Sequence, residues 1–431
     1  MNFVKANIAN FFSAGLIQVL NLIISILEAR VLGPSELGRY QIFISTRTMA
    51  VTFCALGLGQ ASIYFRNNKK HSIDDIVSTT FKAEGIIGLL MTIALIALFL
   101  SFHNYFGVLP FGVILVFSLG STASLFSTAM SPLLVADMRV LQRQAVGFVC
   151  SLFTLAILAW IYFTSGSINV DNILVVSSVA AAIGSMLLFY YFKHDFHISQ
   201  RFNMELFKQI TVFGVKLSAN NIATLFLQNA PVYMLSWFSI MKLEDVGLYS
   251  RAIAICALAT FVNTTVGPLL YAKFSASTDK ERVKFSKTTA CAFLLINICL
   301  TTFILFAGRY LIILLYGNEY ASASLALSIL AVTLILNGIS ELVNNLLSSV
   351  GKPEYLLYNL LITLVFLIPM LYVGISLWGL LGCAYAVVFA TFIKTLLLIR
   401  SLKKFLPVSY RWFFFPSLNS IKSLFELIKH K

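Results

Sequence analysis

The chain has 431 residues, and its composition excludes an ordinary soluble domain. Only 11% of the residues are charged and 59% are hydrophobic, whereas soluble domains carry about 25% charged residues. The net charge of +14 suits nucleic acid in a soluble protein, but in so apolar a chain it bears on membrane orientation, and we expect no nucleic-acid partner. The composition predicts an all-α polytopic membrane protein.

Twelve apolar runs are long enough to cross a membrane, and the loops between them are short. They lie at residues 8–28, 40–64, 76–102, 109–135, 145–164, 172–192, 210–238, 247–272, 286–308, 322–349, 355–374 and 377–399. We therefore predict two six-helix lobes around a central cavity, residues 1–200 and 201–400, followed by a basic tail, 401–431. An even number of spans in each half places the pseudo-twofold axis along the membrane normal.

The segment from Ala29 to Ile44 predicts a tight hairpin between the first two spans. Gly33 can end one helix without a Cβ penalty, and Pro34 can open the next at its first position. A weaker copy occurs about 200 residues later, where Gly247 and Tyr249 occupy the places of Gly38 and Tyr40. This repetition indicates a duplicated chain.

Basic residues set the orientation, because loops rich in lysine and arginine stay in the cytoplasm. With both termini inside, the outer loops hold few basic residues, namely Arg30, Arg39, Lys242 and Arg309. In the tail, apolar residues recur at helical spacing from Leu418 to Ile428 beside lysines, which predicts an interfacial amphipathic helix. A frayed tail is the alternative.

Amide side chains follow one face of the first helix in each half. The first span carries Asn7, Asn10, Gln18, Asn21, Ser25 and Glu28, and the seventh span carries Ser218, Asn221, Thr224 and Gln228. Such stripes either line a shared lumen or join helices by hydrogen bonds. We favour the lumen, with Gln18, Asn21, Asn221 and Gln228 as ligands of the cargo.

Charged residues inside spans are costly and are functional candidates by default. Arg47 and Arg251 suit an anionic head group because guanidinium groups pair with phosphate; Arg251 has outward snorkelling as its alternative. Lysines near inner helix ends, such as Lys394, are also explained by snorkelling.

The tenth span carries polar residues on one face, with Asn337 a further candidate ligand and Glu341 near mid-bilayer. Glu341 either binds and releases a proton during transport, with Glu28 as a second coupling candidate, or forms a static ion pair. Pro231 removes a helical hydrogen bond beside Gln228 and is the candidate hinge.

Several classes of chemistry have no signature in the sequence. We find no nucleotide-binding loop, no metalloprotease or hydrolase motif and no Cys-x-x-Cys pair, and the six cysteines fall inside apolar runs. The sequence therefore predicts no enzyme, no cofactor and no metal site.

The chain resembles polysaccharide flippases in three short segments. These are residues 29–40 of the first hairpin, the triplet Gly57-Leu58-Gly59 and the copy at 244–249. In particular the chain resembles Wzx-type O-antigen flippases of the multidrug, oligosaccharidyl-lipid and polysaccharide exporter superfamily. The resemblance covers nearly the whole length, but its motifs are short and say nothing of the sugar.

The resemblance implies alternating access in a bacterial inner membrane. The cargo would be an undecaprenyl-pyrophosphate-linked oligosaccharide for O-antigen or lipopolysaccharide biosynthesis, with membrane lipids and polysaccharide polymerase machinery as partners. Two alternatives stay open: a multidrug or cation antiporter of the same superfamily, and a membrane enzyme of lipid-linked glycan polymerisation. The amide-rich lining favours the glycan, because amides pair with sugar hydroxyls.

Overall fold

The computed structural model describes residues 3–67, 72–136, 139–193, 202–238 and 243–414. Within these ranges the regular structure is helical, with a single short 3₁₀ turn. The side chains of Asn7 and Asn10, and the predicted tail helix from Leu418 to Ile428, lie outside what is described. The all-α prediction is confirmed.

The N-terminal helices are α1 (Phe3–Cys54), α2 (Leu58–Asn67), α3 (Ile73–Ser101), α4 (His103–Phe106), α5 (Phe111–Ala136), α6 (Val140–Ser165) and α7 (Val170–Lys193). The remaining helices are α8 (Met204–Phe238), α9 (Leu243–Ser275), α10 (Asp279–Tyr316), α11 (Ala323–Ser349), α12 (Glu354–Leu402) and α13 (Tyr410–Phe414).

Two of these helices are hairpins that turn at a glycine. Gly33 in α1 has φ 70° and ψ 171°, and Gly379 in α12 has φ 55° and ψ −129°. Positive φ is costly for residues with a Cβ, so glycine permits each turn. The Gly33–Pro34 hairpin is therefore formed as the sequence predicts.

The span count follows from these two turns. Among the described residues, nine helical stretches are long and apolar enough to cross a membrane. Two of them, 12–66 and 354–402, each contain a hairpin glycine and so comprise two spans. The helix α9, with 33 residues, is not among the nine but is long enough to be the twelfth predicted span.

The chain groups into two compact units, Met1–Leu225 and Phe226–Lys431. The helix α8 begins in the first unit and ends in the second. The lobes at 1–200 and 201–400, and the tail at 401–431, stay predictions. Each unit has its own buried apolar core, for example around Met130 and Leu134 in the first and around Leu342 and Leu346 in the second.

Helix starts follow local capping chemistry. Ser72 precedes α3, and its hydroxyl accepts a hydrogen bond from the Asp75 N–H at 3.1 Å. Thr278 precedes α10, and its N–H donates to Glu281 at 2.9 Å, the reciprocal half of a capping box. These bonds satisfy N–H groups that have no partner inside the helix.

Candidate functional site

The first hairpin brings Glu28 and Tyr40 together within the N-terminal unit. Both side chains are buried, and the Tyr40 hydroxyl donates to Glu28 Oε1 at 3.3 Å. Beyond the turn, Arg39 donates to the carbonyls of Phe106 and Val108, each at 3.0 Å. The turn thus places the predicted coupling residue Glu28 in a hydrogen bond with the next span.

Arg47 lies farther along the same span and faces α5. Its Nη2 donates to the Gly120 carbonyl at 3.3 Å and to the Ser124 hydroxyl, and its guanidinium lies 5.6 Å from the centre of the Phe117 ring. Both hydrogen bonds use one nitrogen, whereas a guanidinium carries five donors. Arg47 is held in place while retaining donors that can bind an anion.

A cavity of about 590 Å³ lies within the N-terminal unit. Amides, hydroxyls and one arginine line it, together with small and apolar residues. The polar residues are Thr52, Gln60, Ser127, Thr128, Ser131, Arg143, Gln144, Ser218 and Asn221. These groups can hydrogen-bond a polyhydroxylated molecule and pair with a negative charge.

One predicted ligand lines this cavity and three others in the same unit do not. Asn221 is among the lining residues, whereas Gln18, Asn21 and Arg47 are not. Asn21 instead accepts a hydrogen bond from Ser151 at 2.9 Å, joining α1 to α6. The stripe of the first span therefore contains an interhelical contact, the alternative role for intramembrane amides.

A break between α1 and α2 forms one wall of the cavity. Leu56 has φ 48° and Gly57 has φ 67°, and a Cβ at Gly57 would collide with the Gly214 carbonyl of α8. A Cβ at Gly59 would likewise collide with the Ala129 carbonyl of α5. The two glycines thus allow close backbone contacts with α8 and α5, and Gln60, the next residue, lines the cavity.

The C-terminal unit contains a second polar cluster, around Glu341. Asn345 Nδ2 donates to Glu341 Oε1 at 3.2 Å, and Lys394 of α12 donates to Asn337 Oδ1 at 3.1 Å. Lys394 also lies close enough to Glu341 for an electrostatic interaction. A Cβ at Gly267 of α9 would come within 2.8 Å of Glu341 Oε1, so this glycine makes room for the carboxylate.

Arg251 is buried in the same unit, with 5% of its surface exposed. Its guanidinium lies 5.6 Å from the centre of the Tyr316 ring. The interpretation of Arg251 as a snorkelling residue is therefore wrong in this structure. Gln228 is exposed on α8, and Pro231 lies inside that helix.

Four polar residues of these two sites cannot be assigned from the sequence. Gln60, Arg143 and Gln144, which line the cavity, do not stand out in the sequence, because nothing in a single sequence shows that α2, α5 and α6 surround one cavity. Lys394 was attributed to snorkelling, but it bonds to Asn337 inside the unit. Lys394 lies on α12 opposite the polar face of α11. This position indicates its role only when it is known that α11 and α12 pack together.

Comparisons with known proteins bear on the family and the fold of this chain. The model of the family described as polysaccharide biosynthesis protein matches residues 4–260, more than half of the chain. No curated protein matches the sequence.

Solved structures show the same fold. A lipid II flippase, MurJ, in an inward closed conformation has a TM-score of 0.77 and 15% identity, covering 98% of this chain and 93% of its own. An inward-facing multidrug resistance MATE family transporter of the MOP superfamily has a TM-score of 0.75 and 16% identity, covering 90% and 96%. An outward-facing transporter of that family has a TM-score of 0.67. With a family model that matches more than half of its residues, this chain belongs to the polysaccharide biosynthesis protein family.

Proposed function

We propose that the protein is a flippase that moves undecaprenyl-pyrophosphate-linked oligosaccharide repeat units from the cytoplasmic to the periplasmic leaflet by alternating access. The carrying observation is the cavity of about 590 Å³, whose wall combines amides, hydroxyls and Arg143. Sugars present many hydroxyls and the pyrophosphate presents charge, so this lining suits both ends of the head group. The polyprenyl tail stays in lipid.

The proposal extends to location and chemistry. Both termini face the cytoplasm of a bacterial inner membrane, as the basic loops favour. The protein is a transporter and not an enzyme, it needs no cofactor, and the glycan it exports feeds O-antigen or lipopolysaccharide synthesis, where polymerase machinery is its partner. In alternating access the cargo site opens to each side of the membrane in turn.

Residue roles follow from chemistry and position. Arg47 and Arg251 bind the anionic group, and amides contact the sugars. These amides are Gln18, Asn21, Asn221, Gln228 and Asn337. Glu341 and Glu28 are the coupling carboxylates, and Pro231 is the hinge. The support is strongest for Arg47, which retains donors, and for Glu341, which lies near a basic residue that a proton change would affect.

The substrate is tested in cells that lack their own flippase. We expect this chain to restore surface polysaccharide and to clear the lipid-linked glycan that accumulates on the inner leaflet. Mass spectrometry of that glycan identifies the cargo. Normal surface polysaccharide after deletion of the gene in its own host would contradict the proposal.

The Arg47→Ala variant tests the anion site. It removes the charge and the bonds to Gly120 and Ser124, so we expect glycan export to fall at least tenfold at equal protein level. Arg309→Ala, at an exposed position of α10, is the matched control and should export normally. Unchanged export by Arg47→Ala removes this residue from the site.

The Glu341→Gln variant tests coupling. An amide keeps the size of the side chain and a hydrogen bond with Asn345, but it cannot release a proton. We expect transport in reconstituted vesicles to lose its dependence on the pH gradient. Glu354→Gln, at an exposed helix start, should retain that dependence. Undiminished pH dependence in Glu341→Gln would rule out the coupling role.

A multidrug antiporter is the second candidate, because the fold is shared with multidrug resistance transporters. It predicts that expression lowers drug susceptibility and leaves lipid-linked glycan levels unchanged. Measuring both quantities in one strain separates the two functions. Product analysis of the accumulated glycan also exposes the third possibility, an enzyme of glycan polymerisation.

A further inference from the structure

Glu84 is a buried carboxylate that the proposed mechanism does not use. It lies in α3, about 11 residues or ~16 Å from the start of that helix, and 1% of its surface is exposed. Neither carboxylate oxygen has a hydrogen-bond partner among the described residues. An ionised carboxylate at this position is removed from water and has no hydrogen bond or ion pair among these residues to compensate. The neutral, protonated form is therefore the more stable one.

The surroundings of Glu84 contain little that could hold a charge. Its neighbour Ala83 packs with Leu58 and Ala61 of α2 and with Leu206 and Ile210 of α8. The Cys54 thiol of α1 interacts electrostatically with Glu84.

Among the described residues, no charged group on the helices packed around α3 forms a hydrogen bond with Glu84. Arg47 of α1 bonds to α5, and α5 itself carries no charged residue. Arg66 of α2 lies in the last turn of its helix, and Lys208 and Lys216 of α8 are exposed. A lone carboxyl among apolar side chains and a thiol suits a proton better than a metal cation, which needs several oxygen ligands.

The position of Glu84 connects it to the break between α1 and α2. Cys54 is the last residue of α1, and the next residue, Ala55, lines the cavity. One turn before Glu84, the Thr80 hydroxyl shares a hydrogen bond of 3.0 Å with Ser62 of α2. The break at residues 55–57 therefore has Ala55 and Gly57 in the cavity wall and directly follows Cys54, which interacts electrostatically with Glu84.

We propose that Glu84 is a proton-binding site of the N-terminal unit and that its ionisation loosens the break at residues 55–57. The reaction is the loss of the carboxyl proton to water that enters from the cavity. The carboxylate that remains is attracted to the positive N-terminus of α2 and to that water, and both attractions displace the residues of the break. Because Gly57 lies against Gly214, the change reaches α8, which continues into the second unit.

This proposal goes beyond the proposed function and holds for any cargo. It is therefore tested on the purified full-length chain in lipid, without glycan. Infrared difference spectra across a pH titration detect the C=O band of a protonated carboxyl. We expect a band at neutral pH that disappears at alkaline pH in the wild type and is absent from Glu84→Gln. The control Glu205→Gln, at an exposed position of α8, keeps the band.

Hydrogen–deuterium exchange then measures the coupling. Above the pH at which the band disappears, amides of residues 55–60 should exchange at least threefold faster in the wild type than in Glu84→Gln, which mimics the protonated state. Below that pH the two should match. A wild-type spectrum without a band assignable to Glu84 overturns the proton site, and equal exchange at every pH overturns the link to the break. Neither result depends on which substrate is carried.

Discussion

At the scale of single residues, the sequence predicts which polar groups matter better than it predicts what they touch. Intramembrane charge is costly, so Arg47, Arg251 and Glu341 stand out in any apolar run. Their partners depend on which helices pack together. Ser124 of α5 and Lys394 of α12 are far from Arg47 and Glu341 in sequence, and helical periodicity holds no information about such neighbours.

One buried pair of amides in the second unit allows the energy of such an interhelical hydrogen bond to be measured. Asn263 Nδ2 donates to Asn297 Oδ1 at 2.9 Å, and Asn297 also donates to the Phe293 carbonyl at 2.7 Å. We expect a double-mutant cycle with Asn263→Ala and Asn297→Ala to give a coupling of about 0.6–1.7 kcal/mol in the free energy of unfolding, the range for hydrogen bonds between membrane helices.

The pair formed by Asn21 and Ser151 is the control for that cycle. It has a similar length, 2.9 Å, but is exposed, and the polar lumen proposed for the first span would give its polar atoms other partners when the bond is lost. Its coupling should be close to zero. Equal couplings for the two pairs would show that burial does not determine their strength.

At the scale of helices, the sequence predicts a turn where glycine is followed by proline, but it does not predict the break at residues 55–57. Gly33 followed by Pro34 is a local signal that fixes both the end of one helix and the start of the next. The break at residues 55–57 has no such signal, because Leu56 adopts φ 48° inside an apolar run. Its shape depends on the carbonyl of Gly214, which is distant in the chain.

The break predicts opposite outcomes for two Gly→Ala substitutions. Gly57→Ala places a Cβ at φ 67° and against the Gly214 carbonyl, and the left-handed conformation alone costs roughly 1–2 kcal/mol. Gly15→Ala lies in α1 with nothing within 4 Å of the added Cβ, and alanine in a helix gains about 0.5–1 kcal/mol.

Thermal unfolding in detergent checks this pair. Gly57→Ala should melt well below the wild type, and Gly15→Ala at or above it. A Gly57→Ala protein as stable as the wild type would mean that the break relaxes without cost, and that α2 is not held against α8 as described.

At the scale of the whole molecule, hydropathy alone predicts the twelve spans, because each run must bury about 20 residues in lipid. The internal organisation is harder to predict. Helix α8 contributes to both contact-defined units, whereas a sequence divides most naturally at the polar linker before it. The cavity in the N-terminal unit could not be predicted from the sequence either, because its walls come from six helices, α1, α2, α5, α6, α7 and α8.

Orientation is the property of the whole chain that the loops predict most sharply. The segments 66–70, 139–143 and 273–287 are rich in lysine and arginine, whereas the segments 103–110 and 166–169 contain none. Short basic loops stay in the cytoplasm because lysine and arginine resist translocation. We expect alkaline phosphatase to be active when fused after residue 108 or 168, and inactive when fused after residue 277.

A fluorescent protein at the C-terminus completes that test, since it matures only on the cytoplasmic side and should fluoresce. Immunoblotting confirms that each fusion is made in equal amount. Replacing the basic residues Lys280, Arg282 and Lys284 with glutamine should weaken the bias and raise phosphatase activity of the fusion after residue 277. The opposite activity pattern, with a dark C-terminal fusion, would invert the orientation and overturn the direction of transport proposed for this chain.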